Sequence, residues 1–65
     1  MSYTFLKLPE VKKRTGKGKT AIYQEIKAGT FPKQVSNGKG SVAWLENEII
    51  KWQEERIKQR NLNQN

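Results

Sequence analysis

The chain is 65 residues long, contains neither cysteine nor histidine, and carries 13 basic and 6 acidic side chains, for a net charge of +7. This length accommodates one small domain with a thin core, and the composition excludes disulfides, Cys/His zinc sites, thiol chemistry and imidazole catalysis. The first residues lack a signal-peptide pattern, and no apolar stretch approaches the ~20 residues of a membrane span. We therefore expect a single cytoplasmic, non-enzymatic domain over residues 1–65, with frayed ends at 1–2 and 61–65.

The positive charge is concentrated in the first part of the chain. Residues 1–40 hold nine basic and two acidic side chains, whereas residues 41–65 hold four of each. A charge that served solubility alone would not need this segregation, but a surface that binds a polyanion would. The distribution therefore favours nucleic acid as the partner.

Two short helices are predicted near the N-terminus, after a strand or extended segment over residues 3–6. Pro9 suits the first turn of a helix over 9–15, and Gly16 suits a left-handed helix end. The second helix is predicted over 19–28. Two short helices joined by a glycine-containing turn are typical of a helix-turn-helix.

The second helix has two distinct faces. Ile22 and Ile26 are four residues apart and are expected to face inward. The polar side chains are expected to lie on the outer faces, where they form a candidate recognition surface. This set comprises Lys19, Thr20, Tyr23, Gln24 and Lys27.

A β-hairpin, or wing, is predicted over residues 35–44 because Asn37-Gly38 is a strong hairpin-turn signal. A longer helix follows over 45–60. Its apolar stripe is predicted from Leu45, Ile49 and Trp52 and is expected to be broadened by Ile50 and Ile57, while Trp44 and Trp52 are assigned to the core rather than to base stacking. The predicted fold class is mainly α with a small β-hairpin, a winged helix-turn-helix.

Gly18-Lys19-Thr20 matches the end of a phosphate-loop motif, but the motif requires glycine at position 13, where the chain has Lys13. A nucleotide-hydrolysing site is therefore not expected. We instead expect this turn to let a phosphate approach the amides that begin the second helix. The carboxylates of the last helix are assigned to solvated surface, so neither paired-carboxylate catalysis nor a metal site is predicted.

These features together predict binding to duplex DNA. With the second helix in the major groove, Lys19 can donate to guanine and Gln24 can bond adenine bidentately. Thr20 and Tyr23 can contact either a base edge or a phosphate. The predicted contacts of the turn and of the wing go to the phosphate backbone or the minor groove. The turn set is Lys12, Lys13, Arg14, Lys17 and Gly18, and the wing set is Asn37, Lys39 and Ser41.

The sequence resembles the AlpA-type prophage regulatory proteins, which are related to phage excisionases and to the winged DNA-binding domain of MerR-type regulators. The resemblance covers residues 3–60 and is carried by segments 5–11, 27–33 (Lys-Ala-Gly-Thr-Phe-Pro-Lys) and 42–49 (Val-Ala-Trp-Leu-Glu-Asn-Glu-Ile). It implies a winged helix-turn-helix that regulates prophage transcription or biases an integrase toward excision. It also implies that the second helix is the recognition helix and that residues 35–44 form the wing.

The sequence departs from the usual family pattern at three positions, which bear on base preference rather than on fold. Lys17 stands where an apolar residue commonly follows the turn glycine, Gly18 replaces a common serine cap, and Gln24 replaces a frequent arginine.

A module of this size buries a modest DNA interface, on the order of 600–1,000 Å² of protein surface. We therefore expect self-association on DNA repeats, or contact with an integrase or RNA polymerase through helix 45–60. The alternatives are a protein-interaction module, such as an anti-repressor or integrase partner with non-specific nucleic-acid affinity, and an RNA-binding module. No cofactor, small-molecule ligand or membrane contact is predicted.

Overall fold

The computed structural model describes residues 3–36, 38 and 40–63 of the chain. Within this part of the chain, no helix is long and apolar enough to cross a membrane. The elements in chain order are β1 (Phe5–Leu6), α1 (Leu8–Thr15), α2 (Lys19–Ala28), β2 (Val35–Ser36), β3 (Val42–Leu45) and α3 (Glu46–Asn63).

The two N-terminal helices form as their boundary residues predict. Pro9 lies in the first turn of α1, and Gly16 ends the helix with a φ of 71°, a left-handed conformation that glycine adopts without a steric penalty. Only residues 16–18 separate α1 from α2, and α2 has the predicted bounds. The helix-turn-helix is therefore confirmed.

Three short strands form one antiparallel sheet in the order β1-β3-β2. The predicted hairpin is confirmed, since Val35 of β2 pairs with Ala43 of β3. The extended segment near the N-terminus is also a strand, and its Leu6 pairs with Trp44. This pairing adds a third strand to the predicted two-stranded wing and ties the start of the chain to β3.

One apolar cluster holds the helices against the sheet. Trp44 is fully buried, and its indole N–H donates a hydrogen bond of 3.0 Å to the Pro32 carbonyl oxygen. Trp52 is half-buried and packs edge-on against Phe31 with 5.2 Å between ring centroids. Both tryptophans therefore belong to the core, as predicted. The other buried members are Leu6, Val11, Ile22 and Ile49.

The last helix differs from its prediction in extent and in its apolar face. Leu45 belongs to β3, and α3 continues to Asn63 rather than ending near residue 60. Ile50 and Ile57 are 41% and 50% exposed, so the prediction that they broaden the core stripe is wrong. The core is too small to cover them: Ile49, on the adjoining face, is fully buried, but every side chain described from residue 54 onward is exposed.

Candidate nucleic-acid interface

The C-terminal end of α1 is anchored to α3 through Arg14. Its guanidinium bonds the carboxylate of Glu10 at 2.9 Å and that of Glu46, the first residue of α3, at 3.0 Å. These two hydrogen bonds raise the pKa of Arg14 above its ordinary value, and the bond to Glu10 has the larger effect. The Arg14 carbonyl oxygen in turn accepts a hydrogen bond of 2.9 Å from the side-chain amide of Gln53. The turn after α1 therefore starts from a fixed position.

Lys17, in the middle of the turn, is also held by neighbours. Its ammonium group forms an ion pair with Glu25 of α2 and lies 5.9 Å from the ring centroid of Trp52. Its backbone amide donates to the Thr15 hydroxyl at 3.3 Å, and that hydroxyl donates to the Val11 carbonyl at 2.8 Å. The turn is thus fixed by side chains from α2 and α3 as well as by its own backbone.

Gly18 begins α2 without a side-chain cap. Its backbone is extended, with φ −80° and ψ 169°, and only its carbonyl oxygen serves the helix, accepting from the Ile22 amide at 3.0 Å. The first amides of α2 therefore keep their hydrogen-bonding capacity at the positive end of the helix dipole. A Cβ atom at Gly18 would have no heavy-atom neighbour within 4 Å, so the backbone is open to approach.

The outer face of α2 is polar and accessible. Lys19, Thr20, Gln24 and Lys27 are exposed, whereas Ile22 on the inner face is fully buried. Tyr23 was predicted to lie among the outer residues, but it is half-buried, with its ring edge-on to Trp44 at 6.2 Å between centroids. Its position on the helix adjoins the inward stripe, and its ring is long enough to reach the indole. Tyr23 therefore lies at the boundary between core and surface.

The cationic side chains of residues 1–40 fall into two groups. Both acidic residues of this segment, Glu10 and Glu25, are used by Arg14 and Lys17. Six lysines are exposed and form no ion pair with any carboxylate in the described part of the chain, so their charge is not offset locally. These unpaired lysines are Lys7, Lys12, Lys13, Lys19, Lys27 and Lys33.

The predicted turn and wing contacts have different surroundings. Lys12 and Lys13 are exposed in the last turn of α1, beside the ion-paired Arg14. In the wing, Ser41 is exposed, and its amide donates to the Gly38 carbonyl at 2.9 Å. Asn37 and Lys39 lie outside the described residues. The contacts assigned to all of these residues stay predictions.

Three glutamates of α3, Glu48, Glu54 and Glu55, are exposed. Among the described residues, no three potential metal ligands come together. Glu48 and Glu55 of α3 line an open groove over Phe31 and Trp52. Both are exposed and form no ion pair with a described residue. Glu48 and Glu55 therefore differ from Glu10 and Glu25 of the helix-turn-helix, which both form ion pairs.

Arg56 is not among the predicted site residues, although it lies close to the turn. Its guanidinium carbon is 5.8 Å from the ring centroid of Trp52, the same ring that Lys17 approaches. The four-residue spacing from Trp52 places the two side chains on one side of α3 and was a usable signal. The Trp52 ring also lies close to Lys17 in the turn, and this contact depends on tertiary packing.

Two helices joined by a fixed three-residue turn, followed by a hairpin and a helix packed against the same core, define a winged helix-turn-helix protein. The chain belongs to the family described as Prophage CP4-57 regulatory protein (AlpA), which matches residues 4–57. It is 45% identical over 53 residues to "Uncharacterized protein ORF88" of Enterobacteria phage P4. It is 37% identical over 59 residues to "DNA-binding transcriptional activator AlpA" of Escherichia coli K12.

The two relatives are matched over different shares of their length. Each match covers 82% of this chain, but they cover 60% of the phage P4 protein and 84% of the E. coli protein. The chain therefore spans less than two thirds of the length of the phage relative.

Proposed function

We propose that the chain is a sequence-specific double-stranded DNA-binding regulator of a prophage or mobile element. The observation that carries this proposal is the exposed polar face of α2, in a chain whose residues 1–40 include six exposed lysines that no described carboxylate offsets. The similarity to a relative whose name states DNA binding and transcriptional activation supports the same function.

In this proposal α2 enters the major groove with its N-terminal residues toward the bases. Lys19 donates to guanine O6 or N7, and Gln24 bonds adenine through its amide, because these pairings match donors with acceptors on the base edges. The Gln24 side chain forms no hydrogen bond with a described residue, so its amide group is available. Thr20 and Lys27 flank these residues and contact a base edge or a phosphate.

Backbone contacts supply most of the affinity. Lys12 and Lys13 approach phosphates beside the turn, Gly18 admits a phosphate to the α2 amides, and the wing lies on the backbone or in the minor groove. With ~6 phosphates neutralised, the logarithm of the affinity falls against the logarithm of the salt concentration with a slope of roughly −5.

The regulatory role is proposed as transcriptional regulation, excision, or both. The protein acts in the cytoplasm, on the nucleoid of a bacterial host. A single module offers a small interface, so several copies on DNA repeats, or contact with an integrase or RNA polymerase, supply the remaining specificity. Sequencing the neighbouring genes tests the recombination role, which an adjacent integrase gene would support.

The proposal is tested by selecting a binding site from a random duplex library and measuring affinity by fluorescence anisotropy. Gln24→Ala should weaken binding to the selected site by about 1–3 kcal/mol and leave binding to a scrambled duplex unchanged, because a base contact is lost. Asn47→Ala, which removes an exposed amide from the start of α3, is the matched control and should change neither affinity. Equal losses on both duplexes for Gln24→Ala would defeat the reading role.

A protein-interaction module is the second candidate, and the apolar surface exposed along α3 favours it. Ile50 and Ile57 leave apolar surface uncovered on that helix. A panel of duplex DNA, single strands and RNA of one sequence separates the candidates. Duplex preference that persists at high salt supports the DNA-binding proposal, whereas weak, equal affinity for all three supports the interaction module.

A further inference from the structure

The two halves of α3 differ in charge. Glu46, Glu48, Glu54 and Glu55 are all within the first ten residues of the helix, and Lys51 is the only basic residue there. The remaining eight residues hold three basic side chains and no acidic one. The second half of α3 is therefore a cationic segment, and Arg56 is its first member.

Arg56 lies over the indole ring that joins α3 to the helix-turn-helix. The ring centroid of Trp52 is 5.8 Å from the Arg56 guanidinium carbon and 5.9 Å from the Lys17 ammonium nitrogen. Two cations from distant parts of the sequence thus share one aromatic ring. An arginine over an aromatic face is favoured by the ring quadrupole and keeps its planar N–H groups directed outward.

The same residues line an open groove between the turn and α3. Thr15, Gly16 and Lys17 form one side, and Gln53 and Arg56 form the other. The groove has a fixed shape because the Gln53 amide bonds the Arg14 carbonyl at 2.9 Å. Lys17 and Arg56 give this groove a positive lining, whereas the groove over Phe31 carries two glutamates.

Arg56 retains its capacity to bind an anion. It is exposed, forms no ion pair with a carboxylate in the described part of the chain, and makes one long hydrogen bond of 3.5 Å to the Gln59 amide oxygen. Lys17 is already neutralised by Glu25. The groove therefore keeps one uncompensated, positioned guanidinium beside the turn that leads into α2.

We propose that Arg56 binds a DNA backbone phosphate at the groove between the turn and α3, in addition to the contacts made by α2 and the wing. This inference rests on the proposed DNA-binding function. A guanidinium suits the ligand because its fork of N–H donors matches two phosphate oxygens. The contact extends the footprint along the backbone without adding a base contact.

The test compares Arg56→Gln with Arg60→Gln, which removes the same charge one turn further along α3. Arg60 is also exposed, and among the described residues its guanidinium bonds only Asn61. Affinities for the selected and scrambled duplexes are measured from 0.05 M to 1 M salt. Arg56→Gln should lower the magnitude of the salt slope by about 0.9, which corresponds to a loss of about five-fold at 0.15 M and none near 1 M.

The loss should be equal on both duplexes, because a phosphate contact carries no sequence information. Arg56→Lys should keep the salt slope, since the charge remains, while Arg60→Gln should stay close to the unmodified protein. Thermal unfolding verifies that each variant folds. If Arg56→Gln unfolds at a markedly lower temperature, Arg56→Met, which keeps the aliphatic stem over Trp52, replaces it in the same assay.

The outcomes separate the two proposals. If the unmodified protein distinguishes the selected duplex but Arg56→Gln and Arg60→Gln have the same slope, the Arg56 contact is wrong and the DNA-binding proposal stands. If the unmodified protein shows no preference for duplex DNA over single strands or RNA, the proposed function fails and the Arg56 contact fails with it.

Discussion

Ile22 and Gln24 are only two residues apart on α2, but they have opposite surroundings. Ile22 is fully buried in the cluster that includes Val11 and Trp44. Gln24 is exposed, and its amide forms no hydrogen bond with a described residue. One helix thus holds the core together with one face and leaves the other face free for a ligand.

This difference predicts that folding and the proposed DNA recognition depend on separate side chains of α2. A substitution on the inner face should change the free energy of unfolding, and one on the outer face should change affinity for DNA. Tyr23 lies between the faces, because its ring packs on Trp44 although the residue is only half-buried. The comparison therefore predicts which variants change only stability or only DNA affinity, and which change both.

The largest effect is expected from Ile22→Ala. Removing these buried methyl groups leaves a cavity beside Trp44 and should cost about 2–5 kcal/mol of stability. A domain of this length has a total stability of only ~3–10 kcal/mol, so the loss should be a large fraction of the whole. Urea denaturation followed by tryptophan fluorescence measures the loss.

The matched control is Ile50→Ala, which removes the same atoms from a helix face that is 41% exposed. Its free energy of unfolding should change by no more than ~0.5 kcal/mol. Comparable losses for the two variants would contradict the assignment of Ile22 to the core face of α2.

The two glycines of the turn should respond in opposite directions to the same change. Gly16 has a φ of 71°, so Gly16→Ser forces an L side chain into the left-handed region, at a cost of about 1–2 kcal/mol. Gly18 has a φ of −80° and open space around its Cβ position. Gly18→Ser should stabilise the fold by about 0.4–1 kcal/mol, by restricting the unfolded chain and by capping α2.

Thermal unfolding of both variants tests these signs, and duplex binding adds a second readout. The serine at position 18 occupies the space that a phosphate is proposed to approach, so Gly18→Ser should bind DNA more weakly although it is more stable. A variant that gains stability and keeps full affinity would remove Gly18 from the proposed interface.

Much of the fold was predictable because local chemistry marks its boundaries. Pro9 and Gly16 mark the two ends of α1, and Gly38 lies in the loop that joins the two strands of the hairpin. These signals act within a few residues, so they need no knowledge of the tertiary structure. The exposure of Lys19 and Gln24 also followed from the helical spacing of Ile22 and Ile26, while their contacts with DNA stay predictions.

The remaining features depend on contacts that sequence spacing does not encode. The outward position of Ile57 reflects how far the small core extends along α3, which a helical period cannot show. The bond between Arg14 and Glu46 joins residues 32 positions apart. Arg14, which is predicted to contact a phosphate, thus also anchors α1 to α3. Similarly, Trp52 links Arg56 to Lys17 only after α3 has packed on the turn.

Tyr23 gives the finest test of the two faces of α2. Its ring packs in the core, whereas its hydroxyl group is the part proposed to contact DNA. Tyr23→Phe keeps the edge-on ring contact with Trp44 and should change stability by no more than ~0.5 kcal/mol. It removes the hydroxyl proposed to meet a base edge or a phosphate, so affinity for the selected duplex should fall by about 0.5–1.5 kcal/mol. Tyr23→Ala should lose both properties, because it also removes the ring. A Tyr23→Phe variant with unchanged affinity on both duplexes would assign Tyr23 to the core alone and narrow the recognition surface to Lys19, Thr20, Gln24 and Lys27.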